Sequence, residues 1–153
     1  MAAGVEFSDL DWLAIVLAIV ANMALGFLWY SPKFPTGKLW MQEKKIPADM
    51  KPTAAEMGRA MTLMVVGSFL MFFVLMHVFV AFRDAMTLDD ASITDISYAD
   101  GAQGALFTWL GFFVPVLWTG IAWEKESWRL FFVNAGYYLV TLLVAGMIFA
   151  WRL

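Results

Sequence analysis

Cysteine is absent from this 153-residue chain, and histidine occurs once. The first absence removes disulfides, thiolate metal sites and cysteine nucleophiles together. Charge is scarce as well: Asp, Glu, Lys and Arg make up 15% of residues, against a soluble norm of about 25%. The chain has no glycine-rich phosphate loop, no dinucleotide fingerprint and no catalytic-triad pattern. Its basic residues are few and scattered among apolar ones, unlike a nucleic-acid-binding surface. The segment before Trp12 carries no Lys or Arg, so it lacks the positive region of a signal peptide, and the first apolar stretch is expected to be retained.

Hydrophobic residues fill the space that charge leaves, at 62% of the chain. They gather in four stretches, Trp12–Tyr30, Ala60–Phe82, Ala102–Trp123 and Trp128–Trp151. Each has about the 20 residues that a helix needs to cross a bilayer. Apart from Arg129 at the edge of the last, the only Asp, Glu, Lys, Arg or His among them is His77. The fold expected is all-α, an integral membrane bundle of four transmembrane helices in a single domain over residues 1–153. The helices fall at about 10–30, 54–82, 100–123 and 128–151, with an interfacial segment at 32–53 and an acidic outer loop at 83–100.

Charge placement predicts orientation, because loops rich in Lys and Arg stay cytoplasmic. Lys33, Lys38, Lys44, Lys45, Lys51 and Arg59 lie in the first loop, and Lys125 and Arg129 in the third. Only Arg83 and Arg152 fall on the other side, where Asp84, Asp89, Asp90, Asp95 and Asp100 make the loop acidic. Both termini are therefore expected outside. Trp12, Tyr98 and Trp151 mark the outer interface, and Trp29, Tyr30, Trp40, Trp123 and Trp128 the inner one, where amphipathic rings prefer to sit.

Local signals set the boundaries. Ser8 with Asp11, Thr53 with Glu56, and Ser97 with Asp100 have capping-box spacing. Ser31-Pro32 stops the first helix, since proline has no N–H to donate and restricts its predecessor. Glu124–Ser127 is short enough to make helices three and four a tight hairpin.

Small residues recur every four positions in Ala14, Ala18, Asn22 and Gly26. Gly104, Gly111 and Pro115 in the third helix, and Ala145 in the fourth, continue that pattern. Such stripes are expected to face the interior, because close backbone approach replaces hydrophobic drive between helices in lipid.

Counting residues at 1.5 Å each puts Asn22 roughly 12 Å from the inner boundary and Asn134 roughly 9 Å from it. Ser68 and Tyr138 come out at similar depth. Asn22, Ser68, Asn134 and Tyr138 form a candidate polar cluster, with Trp29 and Tyr30 beside it. His77 and Thr108 form a second, outer pair. Polar residues in membranes commonly bond across helices for structural reasons, whereas an intramembrane histidine is a functional candidate by default. A lone His without Asp, Glu or Cys beside it builds no metal site. No catalytic residue, cofactor or metal is expected.

The run Gly26-Phe27-Leu28-Trp29-Tyr30-Ser31-Pro32, followed by Phe34, Gly37 and Trp40-Met41, resembles the N-terminal signature of DUF1761, a bacterial membrane family of unknown function. Trp109-Leu110-Gly111-Phe112, Trp128-Arg129-Leu130-Phe131, Asn134-Ala135-Gly136-Tyr137 and Gly146 extend the resemblance to the second half. It implies a four-helix protein of the bacterial cytoplasmic membrane and no particular activity. The function expected is that of a non-catalytic structural or accessory subunit. Its partners would be membrane lipids, other membrane subunits or copies of itself, and no nucleic acid. The alternative is a homo-oligomeric small-solute channel or carrier.

Overall fold

The computed structural model describes residues 5–47, 50–89 and 95–153, without the side chains of 88 and 89. Their regular structure is all helical, with no strand. A 3-10 turn at Phe7–Asp9 leads into α1 (Trp12–Trp29), followed by α2 (Pro35–Glu43) and α3 (Ala54–Asp89). Next come α4 (Tyr98–Thr108), a π-helical turn (Trp109–Phe113) and α5 (Val114–Glu124), stacked end to end. α6 (Trp128–Arg152) closes the chain. Four segments are long and apolar enough to cross a membrane: α1, α3, the composite Tyr98–Glu124 and α6.

Capping chemistry sets most helix starts. Thr53 and Glu56 form the expected box, with the Thr53 N–H donating to Glu56 at 2.8 Å and the Glu56 N–H donating to Thr53 Oγ1 at 3.3 Å. Ser97 and Asp100 form another. At α1 the cap is Asp11 alone, which accepts from the Ala14 N–H at 2.9 Å. Ser8 instead falls inside the preceding 3-10 turn, boxed by Glu6 and Asp9. Asp11 also pairs with Arg152 at 2.7 Å and ties the start of α1 to the end of α6.

Segment 32–53 holds the short helix α2, and one boundary differs from the sequence expectation. The acidic loop starts later than residue 83, because α3 continues to Asp89. Nothing in Arg83–Asp89 breaks a helix, and Thr87 Oγ1 bonds back to the Arg83 carbonyl at 3.0 Å. Asp90 and the Asp89 side chain lie outside the described residues. At 36 residues α3 is roughly 54 Å long, well beyond the roughly 30 Å of hydrocarbon.

α6 is the central post, flanked by α1 and α4, while α3 packs mainly on α1 and reaches α6 where Phe72 and Phe79 meet Phe149. The tightest crossing is between α4 and α6. A Cβ on Gly101 would come within 2.5 Å of the Gly146 carbonyl oxygen, and one on Gly146 within 2.4 Å of Gly101's. Both positions need glycine because the neighbour is backbone and has nowhere to go. Phe72, Phe149, Ile15, Met76, Leu142 and Val80 are fully buried and form a dry core in the half nearer the termini.

The other half is looser. From Ala54 to Gly67 every α3 residue except Met61 is exposed, and its buried face begins only at Ser68. Here α2 takes over as packing element. Glu43 accepts from Ser127 Oγ, and Lys44 pairs with Glu126, both at 2.6 Å, which clamps α2 to the α5–α6 turn. That turn is tight: Lys125 adopts the left-handed conformation at φ 54° and Ser127 caps α6.

Of the small residues expected inside, Ala14, Ala18, Gly26 and Ala145 are buried, and Gly104 lies under the Phe79 ring. Gly111 and Pro115 correct that expectation. Both are exposed, and Gly111 has no neighbour within 4 Å of a notional Cβ. The π turn is the reason. Pro115 brings no N–H, the register slips so that Val114 donates to the Trp109 carbonyl, and the face is rotated outward.

Candidate functional site

Asn22 lies at the centre of a buried polar knot that joins three helices. Its Nδ2 donates to Ser68 Oγ at 2.7 Å, which links α1 to α3. Its Oδ1 accepts from Tyr137 OH at 2.7 Å and from Thr141 Oγ1 at 3.0 Å, which links α1 to α6. The geometry follows from helical spacing. Asn22 falls on the buried every-fourth line of α1, and Tyr137 and Thr141 stand one turn apart on the same face of α6. No buried side-chain polar atom among the described residues lacks a partner.

A second polar tier lies one to two turns away. Tyr30 OH donates to Asn134 Oδ1 at 3.1 Å, and Trp29 Nε1 donates to the Val133 carbonyl at 3.0 Å. Thr36 Oγ1 donates to the Trp29 carbonyl at 2.6 Å and satisfies an orphan acceptor at the end of α1. Gly37 makes this return possible, since a Cβ there would lie 2.0 Å from the Ser31 carbonyl oxygen. The Tyr30 ring packs between Trp40 and Tyr137, with centroids at 5.3 and 5.1 Å. The Trp-Tyr-Ser-Pro run is thus a joint that locks α1 to α6 and α2.

The structure divides the cluster that the sequence suggested. Asn22 and Ser68 are bonded to each other, while Asn134 pairs with Tyr30. Tyr138 makes neither bond and packs tilted against Phe113, with ring centroids 4.7 Å apart. Tyr137 and Thr141 take the place expected for Tyr138. The missed signal was the line itself: 137, 141, 145 and 149 recur every four residues, and all four are buried. Asn134 and Tyr138 lie off that line and are only partly buried.

His77 belongs to neither tier. Its Nδ1 lies 2.8 Å from the Phe73 carbonyl one turn back, so this nitrogen carries the proton and donates. Phe73 and Phe7 pack edge-on against the ring. The expected pairing with Thr108 is absent because Thr108 lines a separate cavity of about 400 Å³ between α3 and α4, with Phe79 and Phe82. Ser68 is nine residues from His77 along α3, roughly 13 Å by helical rise, too far for a hydroxyl–imidazole pair. The described residues hold no cluster of three His, Cys, Asp or Glu that fits a metal ion.

Two hollows flank the exposed half of α3. One, of about 370 Å³, has Asn22, Ser68 and Tyr137 in its wall, with Tyr138 and Phe113 opposite. The other, of about 660 Å³, lies between α1 and α3 and is almost wholly apolar. Met64 lines both. The hydroxyls and amide of the knot bond one another.

The family model of DUF1761, a protein of unknown function, matches residues 13–150, and the chain belongs to that family. No curated protein and no solved structure matches it.

Proposed function

We propose that this member of the DUF1761 family is a non-catalytic membrane subunit that packs against other membrane helices through the outward face of Tyr98–Glu124. In this reading it lies in the bacterial cytoplasmic membrane with its termini outside and α2 at the cytoplasmic surface. The observation that carries the reading is the exposed set Gly111, Pro115 and Thr119, framed by Phe107, Phe112 and Trp118. Small residues at helical spacing let a second backbone approach closely, and the aromatic rings supply contact area. Pro115 withholds an N–H, so the turn before it has a carbonyl short of a main-chain donor, which a neighbouring helix can supply.

The channel alternative gains less support. The polar groups of the knot are engaged with one another. The half nearer the termini is filled by Phe72, Ile15, Met76 and Phe149, so the described residues leave no polar route through the interior of a single copy.

Gly111→Leu tests the reading. The open space around Gly111 accepts the side chain within the chain itself, so thermal unfolding of the isolated protein should stay unchanged. Co-purification of the native partner should fall at least tenfold. Undiminished co-purification would remove this face from the interface.

A further inference from the structure

The hollow between α1 and the exposed half of α3 has a shape and a charge setting that a partner helix does not explain. Met23, Gly26 and Phe27 form one wall and Met57, Met61 and Met64 the other. The helices draw together where Met64 Cε comes within 3.6 Å of a notional Gly26 Cβ, and the slot opens from there toward Pro32, Trp40 and Pro52. Its volume of about 660 Å³ would hold only about one and a half turns of a helix 10 Å across. A flexible chain fits such a slot better. Four methionines in the walls provide unbranched, polarisable side chains that repack around an irregular occupant.

Cations flank the open end. Lys33 follows Pro32, Lys51 precedes Pro52, and Arg59 follows within two turns. All three are exposed, and none has an ion-pair partner among the described residues. Among the described residues the carboxylate beside them in sequence is Glu56, which accepts from the backbone and hydroxyl of Thr53. Among the described residues, three cations against that one carboxylate leave the end of the slot net positive, while its depth is apolar.

We infer that this slot binds one anionic glycerophospholipid, with an acyl chain between α1 and α3 and its phosphate held by Lys33 and Lys51. Each basic residue near an anionic lipid surface contributes favourably, but two lysines at the mouth of an apolar slot do more. They select a headgroup charge at one place and bring the chain with it. The inference is independent of the subunit reading, since the slot and the Gly111 face lie on different helices.

The test is native mass spectrometry of the purified full chain in mild detergent, titrated with phosphatidylglycerol, phosphatidylcholine or glycerol 3-phosphate. One phosphatidylglycerol per chain should be retained, with apparent affinity about tenfold above phosphatidylcholine, and glycerol 3-phosphate should neither bind nor compete. K33S/K51S should lose most of that preference. K45S/K125S, which removes two charges at the same end of the bundle, should keep it. Ala60→Trp, which fills the slot, should lose both lipids, and K33S/K51S alone decides the matter if that variant does not fold. Equal retention of the two phospholipids, competition by the headgroup alone, loss of preference in K45S/K125S, or a second copy of the chain occupying the slot in place of lipid would each overturn the inference.

Discussion

Asn22 concentrates more structural consequence than any other polar residue. Removing its amide leaves Tyr137 and Thr141 without their acceptor and Ser68 without its donor, all in a buried setting. A buried polar group left unpaired costs about 1–3 kcal/mol. Asn22→Ala should therefore destabilise the protein by about that much in detergent unfolding. Tyr137→Phe deletes one bond and should cost less, about 0.6–2 kcal/mol. Tyr138→Phe should be near neutral, because its hydroxyl takes no part in the knot. Reversal of the last two would mean that the residue choice on α6 is wrong. Neighbouring tyrosines were hard to separate from sequence alone. Positions 137 and 138 differ by about 100° around the helix, and only the complete 137–141–145–149 line shows which one points inward.

At the scale of single elements, glycine marks the places where backbones touch. Gly101→Ala forces a Cβ against the Gly146 backbone and should cost about 1–3 kcal/mol. Gly111→Ala meets nothing and should stay within about 0.5 kcal/mol. Gly37→Ala should open the return between α1 and α2, since the clash there is with the Ser31 carbonyl. Its expected signature is faster tryptic cleavage at Lys38, Lys44 and Lys45. Unchanged cleavage would mean that α2 docks without the tight turn.

Helix existence, the hairpin turn and two of the three capping boxes were readable from sequence, because each rests on local chemistry such as Thr53 with Glu56. The outward rotation of Gly111 and Pro115 was not readable. A five-residue π turn shifts the phase of everything after it, and helical periodicity carried across it points to the wrong face. The length of α3 was hidden for another reason. Hydropathy ends near Phe82, but the helix continues on propensity through polar residues.

For the whole molecule, two halves follow different rules. The half nearer the termini is a dry core closed by the Gly101–Gly146 crossing and by the Asp11–Arg152 pair. The other half is held by hydrogen bonds and rings around Asn22 and Tyr30, and it leaves the start of α3 standing apart. Both hollows beside that segment, and the lysines at the mouth of one, arise from this asymmetry. Composition revealed the bundle, but it could not reveal the asymmetry. Ala54–Gly67 reads like any other helical stretch, and its exposure depends on where α1 ends and α6 begins.

The most direct test of the subunit reading is the mass and composition of the particle extracted from native membranes in mild detergent. The account predicts a complex in which this chain accompanies at least one different membrane protein. A particle made only of copies of this chain would contradict it.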